Sequence, residues 1–269
     1  MEQIIFYILI FAIGTVFGSF FTLAVYRIPL HQNITHERSY CPKCNHKLSF
    51  WDMIPILSYI FLGGKCRYCK EKIRIRYLLL EIFTGMVFLL FAMSINLSFI
   101  PFEMNQLIYL ILGILYIAGM IIIAGIDKEK TKIQKSLILY ELGVISLYMV
   151  YLYTVEKTNI YRYAIYLFVL FVLILIDNIY LKKKLKNNYT IEILELSMIM
   201  AIFTGEIVYV STVILTLIAT VIEKIEKSIL TRKNKVIKKE TSYYKNLPFG
   251  FYLICSNIIS LIMINFINM

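Results

Sequence analysis

The chain has 269 residues, 59% of them hydrophobic, and a mean hydropathy of +0.74. Soluble globular domains carry a lower apolar fraction and do not repeat runs of about twenty apolar residues along their length, so a soluble enzyme and a singly anchored domain are both excluded. The net charge of +11 does not indicate a nucleic-acid partner, because Lys and Arg concentrate between the apolar runs, where the retention of positive loops in the cytoplasm already accounts for them.

Apolar runs fall at 4–26, 77–98, 106–126, 136–154, 162–181, 191–205, 206–223 and 248–268. The expected fold class is an all-α polytopic membrane protein of about eight transmembrane helices in the lipid bilayer. The first run has no basic residues ahead of it, is too long for a signal-peptide core and is followed by no small-x-small cleavage site, so it reads as a retained span. Basic segments follow the first, third, fifth and seventh runs, including Lys128, Lys130, Lys132 and Lys135, then Lys182, Lys183, Lys184 and Lys186, and then Lys224 to Lys245. The segment 99–105 has no basic residue and 155–161 has only Lys157, so alternation assigns the basic segments to the cytoplasm and both termini to the outside. Residues 191–223 are flanked by basic clusters on both sides. One helix of that length would run roughly 50 Å and emerge on the opposite face, so the chain is expected to reverse at Thr204-Gly205-Glu206.

The segment after the first run carries Cys41-Pro42-Lys43-Cys44 and Cys66-Arg67-Tyr68-Cys69. Each C-x-x-C turn offers two thiolates, and two such turns about twenty residues apart supply the four sulfurs of a closed tetrahedral zinc site. The basic character of this segment places it in the reducing cytoplasm, where zinc ligation is favoured over disulfides. Four cysteines satisfy the ion, so His36 and His46 are expected at the surface, and a closed Cys-4 site is structural, not catalytic. Pro55, Gly63 and Gly64 supply the turns that return the second pair, and Cys255 lies in the last run.

Acids in or beside spans are costly and become functional candidates: Glu81, Asp127, Glu141, Asp177, Glu192, Glu195 and Glu206. Asp127 closes an apolar run, Ile121-Ile122-Ile123-Ala124-Gly125-Ile126. It reads either as a reacting carboxylate at the cytoplasmic boundary or as an interfacial residue paired with Lys128 or Lys130. Glu192 and Glu195 open the sixth run at the same face. Two carboxylates at one boundary are what an aspartic peptidase requires: one ionised acid polarises water while its protonated partner holds the scissile carbonyl.

Together these stretches resemble the type IV prepilin peptidase family, the leader peptidases and N-methyltransferases of pilus and competence systems. Gly18-Ser19-Phe20 through Tyr26-Arg27-Ile28-Pro29 is similar to the family's opening. The cysteine pairs with Asp52-Met53-Ile54-Pro55-Ile56-Leu57-Ser58 between them are similar to its zinc loop. Arg76-Tyr77, Glu81-Ile82-Phe83-Thr84-Gly85 and Leu247-Pro248-Phe249-Gly250 resemble three further motifs. The resemblance implies a multi-pass protein of the bacterial inner membrane, with a first helix at 1–26, a cytoplasmic zinc loop at 27–76 and a peptidase-like domain at 77–269. It implies cleavage of basic leaders after Gly in pilin or pseudopilin precursors, and N-methylation with S-adenosylmethionine. Asp127 carries over as the first catalytic aspartate, with Gln134 where a proline is usual. The family writes the second as G-x-G-D-x-K, whereas this chain reads Tyr189-Thr190-Ile191-Glu192-Ile193-Leu194-Glu195. Glu192 is one residue from the aspartate position and is the candidate second acid, with Glu195 and Asp177 as alternatives. A non-catalytic relative that binds pilin-like helices or a secretion partner, and a methyltransferase alone, are the other readings.

Overall fold

A computed structural model of the protein describes residues 2–34, 39–97, 103–155, 161–176, 189–233 and 247–268. His36, Lys157, Asp177 and the lysines at 182–186 lie outside the described residues. The helices are α1 (Glu2–Arg27), α2 (Leu57–Phe61), α3 (Arg76–Ser94), α4 (Met104–Lys130), α5 (Lys135–Thr154), α6 (Tyr161–Ile176), α7 (Tyr189–Lys233) and α8 (Phe249–Ile267). Six of them are long and apolar enough to cross a membrane. The exceptions are α2, a short helix of the cysteine loop, and α6, which is apolar but short. Each expected apolar run is helical over most of its length, those at 191–205 and 206–223 being the two parts of α7.

Contacts group the chain into two compact units, 1–114 and 115–268. In the first, α1 and α3 pack antiparallel: a Cβ on Gly14 would lie 2.8 Å from the Cα of Gly85, and one on Gly18 would lie 2.8 Å from the Cα of Glu81. Small residues four apart let two backbones approach closely enough for dispersion to hold them where lipid removes the hydrophobic drive.

In the second unit, α7 is two helices joined at Gly205, whose φ of 79° and ψ of 170° are not helical and lie in a region open essentially to glycine alone. The Tyr189 hydroxyl lies 3.2 Å from the backbone N–H of Gly250, and Tyr252 hydrogen-bonds Glu223. A straight helix would separate Tyr189 from Glu223 by about 51 Å, yet both ends meet the first turn of α8. Asn257, farther along α8, donates to Thr212 Oγ1 at 3.2 Å and to Thr204 Oγ1 at 3.5 Å. The chain therefore reverses at Gly205, as the flanking charges require. Tyr116 donates to Asn257 Oδ1 at 2.7 Å and stacks on Phe203, with ring centroids 4.1 Å apart, so the buried polar groups beneath the turn are bonded to one another.

Candidate functional site

Both cysteine turns fold alike. The N–H of Cys41 bonds the carbonyl of His46, and that of Asn45 bonds the carbonyl of Cys41. Cys66 with Glu71 and Lys70 with Cys66 repeat the pattern, and each turn is closed by a bridge, Tyr40 with Lys47 and Lys65 with Lys72. The residue after each second cysteine, Asn45 or Lys70, has positive φ, which reverses the backbone and aims both sulfurs inward. The four Sγ atoms lie within 4.8 Å of one another, and those of Cys41 and Cys69 are 3.8 Å apart. A zinc–sulfur bond of about 2.3 Å gives an edge of about 3.8 Å in a tetrahedron, so the donor set fits the ion.

The thiols are poised for a cation. Burial raises Cys41, but the backbone N–H groups of Cys44 and Lys43 outweigh it and bring the thiol down to about 7. At Cys69 the N–H of Glu71 favours the thiolate, yet burial and the three neighbouring thiols hold the proton up to about 12. Thiolates this close repel one another, and a divalent ion removes the conflict.

Asp52 ties the cluster to the rest of the loop. Its carboxylate accepts from the Ser49 N–H at 3.1 Å and the Ser49 hydroxyl at 2.8 Å, and pairs with Arg67, between the second pair of cysteines. His46 is exposed and packs at a tilt against Tyr68, with centroids 3.6 Å apart; it is not part of the four-cysteine cluster.

Asp127 is fully buried. It does not head a loop, because α4 continues to Lys130, and it does not pair with Lys128, whose Nζ lies 4.5 Å from the centre of the Phe251 ring. Its Oδ2 accepts from the N–H of Phe251 at 2.8 Å and from the hydroxyl of Tyr189 at 3.0 Å. Its Oδ1 is buried with no hydrogen-bond partner among the described residues. A Cβ on Gly250 would lie 2.9 Å from Oδ2 and 3.6 Å from Ile133 Cδ1, which explains a glycine in Pro248-Phe249-Gly250. Glu192 is drawn to the same place: its Oε2 accepts from the N–H of Ile133 at 3.4 Å. Glu195, one turn on, is buried.

Tyr189, which heads α7, was not singled out from the sequence. Glu141 is buried against α4 with neither carboxyl oxygen bonded among the described residues, and a Cβ on Gly119 would overlap its Oε1. Gly119 lies eight residues before Asp127, about 12 Å along the helix, too far for the two acids to share one water.

A family profile described as the Bacterial Peptidase A24 N-terminal domain matches residues 12–95. Over this domain the chain is similar to proteins named prepilin leader peptidase/N-methyltransferase. The prepilin leader peptidase/N-methyltransferase of Myxococcus xanthus is 40% identical over 84 residues, 31% of this chain and 25% of the relative. That of Vibrio cholerae is 40% identical over 85 residues, 28% of this chain and 34% of the relative. The one from Klebsiella pneumoniae is 32% identical over 126 residues, 45% and 51%. These matches span between a quarter and about half of the relatives' length. No solved structure matches. The matched residues take in the later part of α1, the cysteine cluster and α3.

Proposed function

We propose that the chain is an intramembrane aspartic endopeptidase of the bacterial inner membrane that removes basic leaders from pilin-like precursors after Gly, with Asp127 and Glu192 as its acids and the zinc loop in the cytoplasm. The observation that carries this reading is the setting of Asp127: a carboxylate wholly out of solvent, with one oxygen held by two donors and the other left for a water. An intramembrane acid so placed is expensive and has no structural ion pair to account for it. In the reaction, Asp127 Oδ1 takes a proton from the attacking water while Glu192 donates a hydrogen bond to the scissile carbonyl; like-charge repulsion keeps one proton on such a pair. The Phe251 N–H and the Tyr189 hydroxyl fix the Asp127 carboxylate, as pre-organised donors do at a reacting group.

Zinc, when bound by Cys41, Cys44, Cys66 and Cys69, supplies folding energy to the loop and no chemistry at the acids. The hollow between α1 and α3, about 250 Å³ and lined by Ile4, Tyr7, Ile8, Phe11 and Leu89, has no charged group to hold S-adenosylmethionine, and no step of this mechanism uses that cofactor.

Reconstitution with prepilins from the same genome tests the proposal. Asp127→Asn keeps the shape and removes the titrating group, so leader loss is expected to fall by orders of magnitude at unchanged expression, and Glu192→Gln is expected to do the same. Two observations favour a second reading, a non-catalytic relative that holds pilin-like helices: the missing glycine–aspartate run, and Tyr189 seated on Asp127. Wild-type protein that binds precursor and never cuts it, beside an active family member, would establish that reading.

A further inference from the structure

We propose that the cysteine loop lies on the membrane, its Phe50–Phe61 edge inserted among the lipids of an anionic bilayer surface. Five large apolar side chains crowd that edge. Phe50 and Trp51 form an edge-on pair, with centroids 5.9 Å apart, on a single 3-10 turn that packs beside α2. Leu57, Ile60 and Phe61 follow at the i, i+3, i+4 spacing of one helix face. Trp51 is 70% exposed and Phe61 83%, although the segment sits in a folded domain with Asp52 bonded behind it. Isolated exposed apolar residues need no explanation, whereas a contiguous group marks an interaction surface.

The depth of this edge identifies the occupant. The N–H of Ile56, between the two apolar groups, donates to Glu81 Oε2 at 2.8 Å. Ile56 holds φ of 62° and ψ of −55°, a conformation a β-branched residue adopts only when its surroundings impose it. Glu81 stands level with Gly18, since a Cβ on Gly18 would lie 2.8 Å from the Cα of Glu81. From Gly18, α1 runs on for eight further residues before its first charge, Arg27, about 12 Å of uncharged helix. Ile56 is therefore fastened below the level at which α1 leaves the apolar layer, and Leu57, which follows it directly, opens the helix that carries Ile60 and Phe61. Aromatic rings are favoured at this boundary.

Charge selects the kind of surface. Between Ser39 and Arg76 eight basic residues stand against two acids, an excess that survives the two negative charges of a zinc tetrathiolate. Each basic residue near an anionic leaflet adds attraction, whereas a basic leader peptide would be repelled. The inference rests on the packing of the first unit alone and stands whether or not the chain cleaves a leader.

Trp51 is the single tryptophan of the chain, so its emission reports this edge directly. The full-length protein would be placed in nanodiscs of phosphatidylcholine with phosphatidylglycerol, plain or brominated on the acyl chains, and titrated with iodide. The expected result is about a twofold or greater loss of Trp51 emission with brominated lipid and little quenching by iodide. Replacing Ile60→Asp and Phe61→Asp together is expected to reverse that order. Quenching by iodide and not by brominated lipid would overturn the proposal, and protection from both would overturn it in favour of a protein partner or a second copy. Equal bromine quenching in discs of pure phosphatidylcholine would overturn its electrostatic part.

Discussion

At Asp52 and Asp127 the same side chain sits in two settings, set apart by the donors around each carboxylate. Asp52 faces Ser49 and Arg67. Burial opposes its ionisation, but the Arg67 guanidinium and the Ser49 donors outweigh it and hold the carboxyl below its ordinary 3.8. A depressed folded value means that the contribution of Asp52 to stability is present above the unfolded value and is lost as pH falls through the folded one. The stability gap between wild type and Asp52→Asn, followed by protease resistance of the loop, is therefore expected to be full at pH 7 and to narrow below about pH 4. Proton competition for the thiolates is common to both proteins and cancels in that comparison. Asp127 instead accepts from one hydroxyl and one backbone N–H. Tyr189→Phe removes one of those donors and leaves the Gly250 N–H without its acceptor. Within the proposed mechanism it is expected to lower kcat about tenfold or more and to alter the pH profile, since an unmade buried hydrogen bond costs about 1–3 kcal/mol.

At the scale of elements, two glycine-dependent contacts shape the chain. The Gly14 and Gly18 face of α1 against α3 is so close that any larger residue must push the helices apart. Gly14→Ile is expected to destabilise the first unit by about 1–3 kcal/mol, seen as a lowered melting temperature in detergent with zinc content unchanged. Gly205 sets the reversal in α7, and a side chain there is strained by its φ of 79° whatever the space, at about 1–3 kcal/mol. Single cysteines at Thr190 and Lys224 are expected to be labelled from one side of the membrane and one at Glu206 from the other. Labelling of Glu206 and Lys224 from the same side would contradict the reversal.

Across the whole molecule, the four-cysteine cluster organises the loop and apolar packing organises the helices. Removing zinc with a strong chelator, or replacing Cys66→Ser, is expected to unfold residues 39–75 while helical content persists, because structural zinc supplies on the order of 10 kcal/mol to a small domain and the spans hold their own backbone hydrogen bonds. Elemental analysis is expected to find about one zinc per chain. Sequence by itself determined the spans, the clustering of the four cysteines and the turn at Gly205, because each follows from a local rule: runs of apolar residues, C-x-x-C spacing, and charge on both sides of a segment too long for one crossing. It also singled out Asp127 and Glu192 as acids near one boundary. What it left undecided was the company they keep. Tyr189, Gly250 and Phe251 reach Asp127 from 62 to 124 residues away, and the choice between a surface ion pair and a buried carboxylate depended on them. No local pattern encodes those partners. Folding decides them, since the reversal at Gly205 and the packing of α8 bring the head of α7, the first turn of α8 and the end of α4 to one point.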